Sequence, residues 1–114
     1  MKKTVIIGGG AAGLMAACAA AEKYGGRAVT VIEKNRRPGR KLMITGKGRC
    51  NVTNNCDRDT LISNVPANGR SLFSAFTDFG TADTMEFFEK RGVPLKTERG
   101  NRVFPVSDKS SDII

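Results

Sequence analysis

The hexapeptide Gly8-Gly9-Gly10-Ala11-Ala12-Gly13 constrains this chain more than any other feature, because of what stands on either side of it. Thr4-Val5-Ile6-Ile7, just before it, is a short β-branched run without polar alternation, the pattern of a strand buried on both faces of a parallel sheet. Ala11 to Tyr24, just after it, is rich in Ala with Leu14 and Met15. It reads as a helix closed by Gly25-Gly26, where glycine is favoured. Ala28 to Glu33 is a second apolar run. Strand, helix of about four turns and strand make one βαβ unit, whose crossover is expected to be right-handed.

Within that unit the glycines fit G-x-G-x-x-G. The motif is weak alone, but here it follows a strand, opens a helix and is answered by Glu33 at the end of the second strand. Each position has a physical reason. Gly8 permits the tight turn, Gly10 lets backbone approach a pyrophosphate with no Cβ in the way, and Gly13 lets helix pack closely on strand. The N–H groups of Ala11, Ala12 and Gly13, with the helix dipole, then hold a diphosphate. Glu33 accepts from both hydroxyls of an adenosine ribose, which favours FAD or NAD over the 2′-phosphate of NADP.

The next stretch, "GRKLMITGKGRCNVTN" from Gly39 to Asn54, carries the chain's charge. The formal net charge is +8, from 19 basic and 11 acidic residues. Seven of the basic residues fall between Lys34 and Arg49 with no acid among them. Three readings compete for this stretch: a nucleic-acid patch, a solvated basic loop, or a cradle for a phosphorylated cofactor. Single-strand binders interleave cations with aromatic residues for stacking, and Lys34 to Asn54 has no aromatic. With no sustained period, Asn35 to Asn55 reads as a long loop of the functional kind. A nicotinamide unit moves on quickly to its next helix. A loop of this length instead suits a longer ligand, with Arg40 or Lys41 offsetting pyrophosphate charge and Gly46 and Gly48 letting backbone lie close to a flat ring system.

Farther on, Asn68 or Gly69 to Phe79 reads as a helix with Leu72, Phe73, Phe76 and Phe79 on one face, ended by Gly80. A second helix follows, capped by Thr81, with Asp83 and Glu86 near its start, Lys90 and Arg91 near its end, and Gly92 and Pro94 beyond. Met85, Phe87 and Phe88 are its core residues. Leu95 to Pro105 reads as two short strands around Gly100-Asn101. Ser107 to Asp112, "SDKSSD", resembles the capped start of a further helix, so the 114 residues are expected to be the N-terminal piece of something longer.

Other chemistries find little support. Cys18, Cys50 and Cys56 have no paired spacing and the chain has no histidine, so neither a disulfide framework nor a zinc site is indicated. Cys50 lacks a partner at redox spacing and is expected to be structural, and Cys18 to be buried and inert on the first helix. Met1-Lys2-Lys3 before an uncharged run resembles an export signal, but Gly8, Gly9, Gly10 and Gly13 interrupt its apolar region. A reducing cytoplasm is the expected location, and the Asn51-Val52-Thr53 sequon is expected to stay unmodified. Arg36, Arg37 and Arg102 read as surface or loop-clamping residues. Asn51 and Asn54 suit either flavin or loop backbone.

Taken together, "GGGAAGLMAA", "VIEKNRRPGRKLMITGKGRCNVTN" and "GNRVFPVSDKSSD" resemble the bacterial FAD-dependent oxidoreductases of the two-dinucleotide-binding-domain flavoproteins, the aminoacetone-oxidase-like or bile-acid-dehydro-reductase-like group. The resemblance covers nearly the whole chain, and "GRK" with "GKGRCNVTN" is its most specific part. It implies FAD at Gly8 to Gly13, its ribose at Glu33 with Lys34 beside it, and Arg40 and Lys41 facing the cofactor. Gly46, Gly48, Arg49, Cys50 and Asn51 would face the flavin end. Where the family pattern carries a third glycine, this chain has Lys47.

The expected class is therefore α/β, with a Rossmann-type FAD/NAD(P)-binding βαβ core that forms the incomplete N-terminal portion of a larger flavoprotein. Residues 1–34 would be the fingerprint, 35–56 the cofactor loop, and 57–114 helices and a hairpin. The function expected is FAD binding for hydride or electron transfer on an unknown small molecule, without nucleic acid or membrane as partner. An NAD-binding dehydrogenase unit and a non-catalytic basic nucleotide- or RNA-binding module remain the alternatives. No catalytic acid, base or metal ligand is identified. A doubly wound sheet needs more strands than this chain has, so by itself it is expected to bind FAD poorly.

Overall fold

In the computed structural model, which describes residues 2–114, the N-terminal third is the expected βαβ unit. Strand β1 (Thr4–Ile7) leads through the glycine turn into helix α1 (Ala11–Tyr24), and a 3₁₀ turn at Gly26–Ala28 delivers the chain to strand β2 (Val29–Ile32). The strands pair in parallel, Thr4 opposite Val29 through to Ile7 opposite Ile32. A Cβ added at Gly13 would lie 3.5 Å from Ile6 Cγ2, so α1 rests on the face that carries Ile6.

The other face is open, which corrects the expectation of strands buried on both sides. Val5 is 58% exposed, Ile7 78% and Ile32 52%. Among the described residues one helix covers one side of this two-stranded sheet, and the residue alternation of a strand sends every second side chain away from it. Cys18 is likewise exposed rather than buried. It borders an open apolar cavity of about 500 Å³ beside α1 that Leu14, Met15, Phe87 and Phe88 also line.

After β2 the chain departs from a plain loop. Arg40–Ile44 form a short helix, α2, followed by a tight turn at Thr45–Gly48 and a two-residue strand, β3 (Thr53–Asn54). Helix α3 (Arg58–Ser63) then begins at Asp57, whose Oδ1 accepts from the Thr60 N–H at 2.7 Å. The helix expected from residue 68 or 69 to 79 is split. Asn68 is left-handed with φ 58°, a 3₁₀ turn spans Gly69–Leu72, and α4 runs only Phe73–Asp78.

Helix α5 (Thr81–Glu89) lies where the sequence places it, with a different cap. Gly80 occupies the cap position and its N–H donates to Asp83 Oδ2 at 2.9 Å. Thr81 is buried and its hydroxyl donates to the Asn54 carbonyl at 2.9 Å, tying α5 to β3. The expected hairpin is present as β4 (Leu95–Glu98) and β5 (Arg102–Pro105) around Gly100 and Asn101, whose φ values of 75° and 59° are those of a reversing turn. β5 is the centre of an antiparallel sheet ordered β3-β5-β4. Its Val103, Phe104 and Pro105 are the most thoroughly buried run in the molecule. In "SDKSSD", expected to start a helix, only the last three residues, Ser110–Asp112, form a 3₁₀ turn.

Candidate dinucleotide site

The glycine turn is shaped by what it touches on both sides. Gly8 has φ 98°, a backbone angle that glycine adopts freely, and its N–H donates to the Ile32 carbonyl at 2.7 Å. Gly13 is required by packing, because a Cβ there would meet the Gly8 carbonyl oxygen at 1.9 Å. At Gly10 an added Cβ would meet nothing within 4 Å, so the space above it is open. Gly10 also serves as the cap of α1 without any side-chain bond to the helix. The first N–H groups of a helix have no partner within it, and the first bond here is Leu14 N–H to the Gly10 carbonyl, which leaves those of Ala11, Ala12 and Gly13 free at this end of α1.

Gly9, to which the sequence assigns no role, proves to be a structural keystone. It is buried, and a Cβ would lie 3.1 Å from Pro38 Cβ and 3.3 Å from the Glu33 side chain. Its N–H donates to Glu33 Oε1 at 3.0 Å and its carbonyl accepts from the Gly39 N–H at 2.7 Å. The run of three glycines was the available signal. Glu33 is thereby brought against the turn, and its Oε2 accepts from the Asn35 N–H at 2.5 Å. These backbone donors, Asn35 first and Gly9 second, hold its carboxyl below the ordinary carboxylate range. Glu33 is thus ionised and fixed, and each oxygen retains a lone pair for a hydroxyl donor.

The basic segment divides into two parts. Lys34, Arg36, Arg37, Arg40, Lys41 and Lys47 are exposed, and among the described residues none lies within ion-pair distance of an acid. Arg40 and Lys41 open α2, which starts at Gly39 with φ 69°. That glycine is buried against Ile114, whose Cγ1 would be 2.8 Å from an added Cβ.

Residues 46–51 form the second part and are bound to the hairpin. Gly46, Lys47, Gly48 and Cys50 all have positive φ, 59°, 58°, 87° and 65°. The left-handed conformation at Lys47 is one that glycine would adopt more readily. A Cβ on Gly46 would strike the Phe104 ring at 2.7 Å, so this glycine serves packing, whereas one on Gly48 would meet only the Met43 carbonyl oxygen, at 3.9 Å. Arg49 is engaged inside the protein by Glu98, Asp108 and the Phe104 ring. Cys50 is fully buried, and burial raises its thiol pKa. Asn51 is exposed, and the Asn54 side-chain amide donates to the Gly100 carbonyl at 2.9 Å. Arg102 clamps the hairpin turn through Nε to the Arg99 carbonyl at 2.9 Å. Among the described residues no cluster of metal-ligating side chains forms, and no helix is long and apolar enough to cross a membrane.

A parallel βαβ unit, an unobstructed helix N-terminus and an ionised carboxylate at the end of β2 define a Rossmann-type dinucleotide-binding domain. The chain belongs to the HI0933-like protein Rossmann domain family, whose model matches residues 2–114. It is 36% identical over 115 residues to the 3-dehydro-bile acid delta(4,6)-reductase of Clostridium scindens, a match covering 100% of this chain and 27% of that protein. It is also 36% identical over 90 residues to the ribosomal RNA dihydrouridine synthase of Escherichia coli, covering 78% of this chain and 22% of that one. The chain thus spans about a quarter of the length of these relatives.

Proposed function

We propose that this chain is the FAD-binding segment of a cytoplasmic flavin-dependent oxidoreductase acting on a small molecule. The observation that carries the reading is the open space at Gly10 between the free N–H groups of α1 and the oriented carboxylate of Glu33. A diphosphate fits the first and a ribose diol the second. FAD is favoured over NAD because the chain after Glu33 is a long cationic segment with room for more than an ADP half. Arg40 and Lys41 would balance pyrophosphate charge, and Gly48 and Asn51 would face the ring end. Bound FAD would supply hydride or electron transfer, while these residues bind and orient it. Three free cysteines support the cytoplasmic location.

The test is purification of the complete gene product under native conditions. Flavin absorbance and release of FAD on denaturation are expected. Binding of NAD with no flavin would refute the reading.

A second reading concerns the substrate and rests on the six exposed cations without acid partners. One diphosphate neutralises only part of that charge, and the E. coli relative is named for ribosomal RNA. In this reading the flavoprotein acts on RNA held along Lys34 to Lys47, by charge rather than by stacking. RNA retained on the flavin-loaded protein in a steeply salt-dependent manner would support it. Equal affinity for RNA after Arg36 and Arg37 are replaced by Ser would remove it.

A further inference from the structure

Residues 46–50 hold four left-handed residues in five, and two of them, Lys47 and Cys50, carry side chains that disfavour this conformation. Such a run persists only where its surroundings over-determine it. Two backbone bonds close the turn, Arg49 N–H to the Gly46 carbonyl at 3.3 Å and Cys50 N–H to the Thr45 carbonyl at 3.0 Å. Gly46 also packs on Phe104 and Cys50 is buried, and one side chain ties the turn to the hairpin. Arg49 Nε donates to the Gly46 carbonyl at 3.2 Å, and its guanidinium lies 3.8 Å from the centre of the Phe104 ring. Nη1 donates to Glu98 Oε1 at 3.0 Å and Oε2 at 3.1 Å, and reaches Asp108 Oδ1 at 3.5 Å. Lys96 holds the same two acids from the other side, at 3.2 Å from Glu98 Oε2 and 2.8 Å from Asp108 Oδ1.

We infer that Arg49 is a positioning residue that shapes the cofactor loop through Glu98 and the Gly46 carbonyl, and that it does not touch the cofactor. The inference rests on the FAD reading above and concerns only the ring end of the ligand. The guanidinium joins three segments: the loop, β4 at Glu98, and the turn at Asp108. Its aromatic support, Phe104, sits in the most buried run of the molecule. The Nε and Nη1 donors are spent on the protein, and a planar fork stacked on a ring is a geometry that lysine does not reproduce. The direction of the peptide groups at Gly46, Lys47 and Gly48 therefore depends on the hairpin.

The experiment uses the complete protein with FAD and ADP as separate probes, since ADP carries the ribose and diphosphate but lacks the ring end. Arg49→Ala and Glu98→Ala are each expected to weaken FAD binding by about tenfold or more while ADP binding stays within about twofold. The double variant is expected to bind FAD about as the weaker single does, because the two residues act as one unit. The visible circular dichroism of any flavin still bound should change, and Glu98→Asp should restore part of the loss. Glu98→Gln keeps the shape without the charge and serves if the alanine variant fails to fold.

Loss of FAD binding in Arg49→Ala with none in Glu98→Ala or Glu98→Gln would overturn the inference, because Arg49 would then contact the cofactor itself. Equal loss of ADP binding would also overturn it, as would unchanged FAD binding in all variants. Parent protein that binds ADP but not FAD would instead remove the FAD reading, and the inference with it.

Discussion

Alanine at Gly10 and alanine at Gly13, made separately, are expected to separate the proposed ligand role of the glycine turn from its role in the fold. At Gly13 the new Cβ would lie 1.9 Å from the Gly8 carbonyl oxygen, well over 1 Å inside the roughly 3.5 Å of a relaxed contact. Both atoms belong to backbone, so relief requires α1 to back away from β1. Overpacking of this kind costs about 1–3 kcal/mol, and in a domain of roughly 150–250 residues each kcal/mol lowers Tm by about 2–4 °C. A fall of roughly 2–12 °C is expected for the complete protein without cofactor.

At Gly10 an added Cβ meets nothing within 4 Å, and its φ of −82° suits alanine. Reduced freedom of the unfolded chain favours the variant, while loss of glycine at a helix cap disfavours it, so stability should change by less than about 1 kcal/mol. In the proposed site the methyl would stand in the path of the pyrophosphate, and ADP affinity should fall by about tenfold or more. Differential scanning calorimetry without cofactor and titration calorimetry with ADP measure the two effects. Unchanged Tm in Gly13→Ala would show that α1 moves freely, and unchanged ADP affinity in Gly10→Ala would show that no diphosphate lies over that residue.

Three further outcomes are expected. Glu33 has a depressed pKa in the folded protein, so its contribution is present above its unfolded pKa and is lost as pH falls through the lower folded value. Glu33→Gln should remove that part of the acid dependence of stability and weaken FAD retention, as followed by thermal melts across pH and by bound flavin. Lys47→Gly should raise stability by about 0.5–1 kcal/mol in denaturant melts, because it relieves a left-handed side chain at some entropic cost. Thr81→Val should lower stability by about 1 kcal/mol, since the Asn54 carbonyl would lose its buried donor.

The sequence was most legible where local signals and fold agree. Strand, glycine turn and helix each carry their own pattern, and so does the Gly100-Asn101 hairpin. Glu33 was placed by spacing alone, and the structure adds the two backbone donors that fix it. The middle segment was less legible for physical reasons. Helix α2 is only five residues long, too short to show a period, and its start at Gly39 is set by a bond to Gly9 thirty positions earlier. Strand β3 exists because Thr53 and Asn54 pair with Val103 and Arg102, which no local pattern announces. Asp57 three residues before Thr60 was a readable cap for α3. The charge of Arg49 can be read from sequence, while its partners, Glu98 and Asp108, lie far along the chain and cannot.

Gly9 carries a consequence for anyone moving this site elsewhere. Its N–H and carbonyl are held by Glu33 and Gly39, and its missing side chain makes room for Pro38. The turn's shape is therefore stored partly outside the turn. Grafting Gly8 to Gly13 alone onto a foreign strand and helix would transfer the letters of the fingerprint without its geometry. The smallest portable unit runs from Thr4 to Gly39.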